Sequence, residues 1–174
     1  MLAFNFLLAS VALFITGVHA SPTVYPEFIP GPGLPSLKSL NLTSKNLYDM
    51  KPQWISTPPS ELEARSFNNE CLQPTANVDD TISCFNYLVS IGNSECTVPA
   101  NLNENAYFVA MGEAMIVGLN QHETAGATSS SCRDVALAVQ WLFINCNQGG
   151  RVGGRAVANG NGDLVVEVQR SPYY

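Results

Sequence analysis

Lysine disappears from this chain after Lys51, histidine is confined to His19 and His122, and no two cysteines stand as a Cys-x-x-Cys pair. Each shortage excludes a class of function. From Ser66 to Tyr174 ten acidic side chains face four arginines. That balance offers no basic surface for phosphates or anionic lipid, so nucleic-acid partners, membrane insertion and a cationic pore-forming role are disfavoured. Without closely spaced thiols no metal site is expected, and nothing calls for a cofactor. A Cys-His or Ser-His catalytic pair would have to be built around His122, beside Glu123 in the Gly-, Ala- and Ser-rich loop from Asn120 to Ser131. That setting reads as an exposed loop histidine rather than a base, and no catalytic residue is assigned. After the N-terminus no hydrophobic run approaches membrane length, and the final Val168–Tyr174 carries no apolar anchor signal.

What is present begins with Leu2–Val18, an apolar run closed by Val18-His19-Ala20. Small side chains at the cleavage positions predict a signal peptide over residues 1–20, cut after Ala20, and a product secreted in soluble form. A membrane anchor is the alternative, but the run is short and lacks a basic flank. Residues 21–65 turn Pro-rich, and such composition buries too little apolar surface to offset its ordering entropy. The expectation is a largely disordered pro-segment, with Leu34, Leu37, Leu40, Leu42 and Leu47 able to dock transiently on the folded domain. Asn41-Leu42-Thr43 is the chain's glycosylation sequon. Glu61-Leu-Glu-Ala-Arg65 suits a kexin-like protease cutting after Arg65, against the alternative of an uncleaved linker.

Residues 66–174 are long enough for one disulfide-stabilised domain. Ile82, Phe85, Leu88 and Val89 recur at helical spacing behind Asp79 and Asp80 as N-cap, with Ser83, Asn86 and Ser90 on the opposite face, predicting a helix over 80–91. A second helix starts at the capping box Ser131-Cys-Arg-Asp134 and ends near Gly149. Strands are predicted at 107–111, 114–119, 152–158 and 164–169, with a further short one near 67–72; Asn159-Gly160 marks a hairpin turn. The fold class is α+β: a two-layer sandwich of a mostly antiparallel four- or five-stranded sheet with two helices on one face.

Cys132 and Cys146 lie fourteen residues apart on the second helix, about 20 Å, so they cannot pair with each other. Each is expected to reach Cys71, Cys84 or Cys96. One thiol of five is left over, either buried or bridging to another molecule as a disulfide-linked dimer. Glu113, Asp163 and Glu167 are the candidates for a glycosidase-like carboxylate pair, with solubilising roles as the plainer reading. Asn159-x-Asn161-x-Asp163 begins like a calcium loop but is followed by Leu164 where glycine is needed. Arg151-Val-Gly-Gly-Arg155 leads into a strand, and its glycines signal close backbone packing or a bulge. The second helix carries two apolar stripes: Val135, Ala138, Val139 and Leu142, then Leu137, Trp141 and Ile144. The latter lies under loops near Cys71 and Cys96, or is a docking surface for a partner or the pro-segment.

Cys71, Asp80 and Cys84, then Cys96, Cys132-Arg-Asp-Val135 and the run from Gly149 to Leu164 resemble small secreted fungal proteins. The nearest are the extracellular necrosis-inducing effector domain and, more distantly, the killer toxins of smut fungi. The resemblance spans about Cys71 to Val168. It implies an effector-like or toxin-like virulence protein, made as a precursor, that binds an extracellular protein or glycan of a host or competitor without catalysis. A wall-polysaccharide hydrolase or lectin-like module is the alternative.

Overall fold

The computed structural model describes residues 24–56, 68–100, 105–121 and 126–174. Ala20, Arg65 and His122 lie outside them, as do the expected signal peptide and the expected processing site. In chain order the elements are β1 (Phe28–Pro30), α1 (Ser44–Asp49), β2 (Glu70–Asn77), α2 (Val78–Ser90), β3 (Glu95–Val98) and β4 (Ala106–Met111). They continue with β5 (Ala114–Asn120), β6 (Thr128–Ser131), α3 (Cys132–Asn145), β7 (Arg151–Ala158) and β8 (Asn161–Arg170). The chain is therefore α+β, with every described strand pairing antiparallel.

The main sheet has six strands in the order β1-β4-β5-β8-β7-β2, one more than the four or five expected. The addition is β1, contributed by the Pro-rich stretch. The ribbon β3–β6 was not legible either, because Thr-Ser-Ser-Ser and Glu-Cys-Thr-Val carry little alternation. The two hairpins follow their turns: Gly112 (φ 52) lets β4 return at once as β5, and Gly160 (φ 73) does the same for β7 and β8. A bulge in β4 leaves Phe108 unpaired between Tyr107 and Val109, and both Phe108 and Val109 enter the main core.

α2 is capped by Asn77, whose Oδ1 accepts from Asp79 N at 2.8 Å and Asp80 N at 3.3 Å. Asp79 and Asp80 are thus first-turn acids favoured by the helix dipole rather than the cap itself. α3 starts as expected, Ser131 Oγ accepting from Asp134 N at 3.1 Å, but ends at Asn145, before Gly149. Phe85 and Leu88 of α2 and Val135, Val139 and Leu142 of α3 share one core with Val109, Ile116, Val166 and Val168 of the sheet. Ala110, Met115 and Val117 form a smaller cluster, on the alternate positions of the same strands.

Disulfides join Cys71 to Cys146 and Cys96 to Cys132, so both ends of α3 are tied to strands that precede it in the chain. Cys84 is the leftover thiol and is fully buried.

Over residues 24–56 the expectation of disorder does not hold. Leu47 is wholly buried and Ile55 nearly so, β1 extends the sheet, and Leu34, Leu37, Leu40 and Leu42 pack against the core. A composition argument weighs only the apolar surface a segment can bury against itself. Here the folded domain supplies the other surface, and the prolines reduce the entropy lost on docking.

Candidate functional site

The docked stretch is held mainly through its backbone. At the sheet edge β1 pairs with Val109–Met111, and Gly31 N donates to Phe108 O at 2.8 Å. Across α2, Asn86 places its whole amide against the segment: Nδ2 donates to Leu47 O (3.2 Å) and Met50 O (3.0 Å), while Oδ1 accepts from Gln53 N (3.1 Å). On α3, Gln140 pairs with both polar groups of one residue, Oε1 accepting from Ile55 N at 2.8 Å and Nε2 donating to Ile55 O at 3.2 Å. Tyr87 Oη donates to Pro35 O at 2.7 Å, and its ring meets Phe28 edge-on with centroids 4.7 Å apart. A side-chain amide can satisfy a main-chain N–H and C=O together, as a neighbouring strand would.

Two apolar anchors lie among these contacts. Leu47 enters the core behind Asn86, and Ile55 is buried beneath the Gln140 pair. Trp54 stays half exposed but reaches Phe143 at 5.2 Å, and Phe143 meets Phe85 edge-on at the same distance. Lower on α2, Asp80 joins segment to sheet: it accepts from Tyr48 Oη and, through Oδ2, from Glu113 N at 2.7 Å. Burial, then the hydrogen bond to Asp80, pushes the Tyr48 hydroxyl pKa up; burial does the same for Tyr87 and Cys84. These groups stay protonated and serve as donors or packing atoms.

Asn86 and Gln140 were missed as functional residues. Asn86 stands with Ser83 and Ser90 on the polar stripe of α2, which reads as a solvent face, yet Ser83 and Asn86 are both buried. The available signal was a polar stripe and a leucine-bearing segment in one chain, each unmatched alone.

The other candidates scatter. Glu113 sits at the β4–β5 turn, with Arg151 Nη1 at 2.9 Å, an ion-pair contact lacking hydrogen-bond alignment. Glu167 pairs with Arg155 at 2.8 Å, which Glu70 approaches from the other side at 3.9 Å. Asp163 lies beyond the far end of β5 from Glu113, roughly 20 Å away, so these two do not form the spacing of a glycosidase pair. Asn41 is exposed in the left-handed region at φ 54, and Thr43 of its sequon caps α1. Of the second stripe of α3, Leu137 and Trp141 pack partly against the core, while Ile144 is 59% exposed. A cleft of about 740 Å³ opens beside the segment, between Pro32, Leu34, Thr97, Pro99 and Tyr107. Among the described residues, no cluster of three potential metal ligands forms, and no helix is long and apolar enough to cross a membrane.

Fold and site define a disulfide-braced α+β domain clasping an N-terminal strap. The chain belongs to the family described as Domain of unknown function (DUF8794), whose model matches residues 63–170 and thus the domain without its strap. No curated protein and no solved structure matches it.

Proposed function

We propose that the protein is a secreted, effector-like or toxin-like binding protein, built as a two-layer sandwich and acting on an extracellular target of a host or competitor without catalysis. The observation that carries this reading is the strap itself. The domain buries a long peptide by hydrogen-bonding its backbone through Asn86 and Gln140, which is what a recognition surface does. The two disulfides agree with an oxidising route of export, and the resemblance to fungal effectors and killer toxins supplies the class of target. The test applies the purified, secreted full-length protein to leaf tissue and to microbial cultures, with affinity capture from both. A tissue or growth response together with a single retained ligand is expected. Silence in both assays with nothing captured would overturn the reading, and reducing sugar released from wall polysaccharide would favour the hydrolase alternative.

A further inference from the structure

We infer that residues 68–174 form a peptide-binding module whose built-in ligand is the segment 24–56, so that cutting the chain between residues 56 and 68 yields a two-chain complex rather than a released leader.

This goes beyond the binding-protein reading, and its test needs no external target. Three observations carry it. Every cysteine lies after residue 70, so neither disulfide reaches the segment and a cut there leaves it held by non-covalent contacts alone. Those contacts have the form of peptide recognition. One strand is added to the open edge of β4, and six hydrogen bonds, three at Asn86, two at Gln140 and one at Tyr87, join these side chains to main-chain atoms of the segment, two of them donated by its N–H groups. Leu47 and Ile55 are the buried anchors that set position along the groove. Finally, the family match begins at residue 63, so the shared unit is the receptor and the segment stands outside it.

The ligand class follows from the same geometry. It is a proline-containing peptide with a short helix around the first of two aliphatic anchors eight residues apart, held largely through its backbone and insensitive to its lysine charges. Lys38, Lys45 and Lys51 all project to solvent, and Lys45 pairs only with Asp49 of its own helix among the described ion pairs. Removal of the segment would strip the Asn86 amide of three partners and Gln140 of two, in a groove whose polar groups are matched by the segment's main chain. An unfilled groove therefore favours rebinding of a similar peptide.

The experiment replaces residues 58–64 of the full chain with a site-specific protease sequence and cuts the secreted protein without reducing it. Co-elution of both pieces as a one-to-one species in size exclusion and native mass spectrometry is expected, as is uptake of a fluorescent synthetic 24–56 peptide by exchange. Peptides carrying Leu47→Asp or Ile55→Asp should bind at least tenfold more weakly, while one with all three lysines changed to glutamine should bind as the parent does. Because these changes are confined to the peptide, a misfolded domain cannot mimic the result. Gln140→Ala in the domain should also weaken exchange at least tenfold. Separation of the pieces on cutting would overturn the inference. So would equal binding of the parent and anchor-substituted peptides.

Discussion

A methyl group on Gly154 would stand 2.6 Å from the Glu70 carbonyl oxygen and 2.7 Å from Leu142 Cδ2, with Cys71 Cα at 3.3 Å. Two of these are backbone atoms of the neighbouring strand, and α3 closes the site from the core side. Gly154, the second glycine of Arg151-Val-Gly-Gly-Arg155, is thus a packing device, letting β2 and α3 both approach β7 at one point. Gly154→Ala should destabilise the protein by about 2 kcal/mol, since neither the strand nor the disulfide beside it can withdraw freely. Urea unfolding with an unchanged slope and a lowered midpoint would verify this; an unchanged midpoint would refute it. Gly118 serves a similar end, since a side chain there would meet the Phe108 ring turned inward by the β4 bulge.

At the scale of elements, α3 is held differently from the rest. Cys71–Cys146 closes a sequence separation of 75 residues and Cys96–Cys132 one of 36. On the chain-entropy account these links contribute about 4.5 and about 3.8 kcal/mol. Replacing Cys71 and Cys146 together by serine should therefore lower stability by slightly more than replacing Cys96 and Cys132, as measured by chemical denaturation. Elements whose own residues determine them were legible in the sequence: α2 from apolar spacing, α3 from apolar spacing and its Ser131 cap, and β4, β5, β7 and β8 from β-branched runs around glycine turns. That the two cysteines of α3 could not pair together followed from helix length alone. The elements that escaped depend on a neighbour for their structure. β1 is three residues long and exists because β4 offers an edge, and α1 is six residues that need α2 beneath them. The candidate site escaped for the same reason, since its polar stripe and its leucine-bearing strap mean little until placed together.

For the whole molecule, the groups pushed by burial point to one pH response. Cys84 has an ordinary value of 9.0 and Tyr48 and Tyr87 of 10.0, and all three are raised in the folded protein. The native state then holds these protons more tightly than the unfolded chain. The stability they contribute is complete below about pH 9 and is lost as pH rises beyond it. The urea midpoint should fall above that pH, and Cys84→Ala should delay the onset toward the tyrosine range. A fall beginning well below pH 8 in the wild type, or one untouched by the substitution, would contradict this account.

Cys84 has another consequence, which belongs to the nascent chain. Five thiols offer five possible bystanders, each leaving three ways to pair the remaining four. Before α2 is packed, nothing chemical distinguishes Cys84 from its neighbours, Cys71 thirteen residues earlier and Cys96 twelve residues later. The native pairing thus depends on burial: collapse of α2 against the sheet conceals one sulfur, either before oxidation reaches it or after thiol–disulfide exchange has re-sorted the pairs. Oxidation that runs ahead of collapse gives scrambled isomers that the fifth thiol can still reshuffle, and the fold itself then acts as the protecting group.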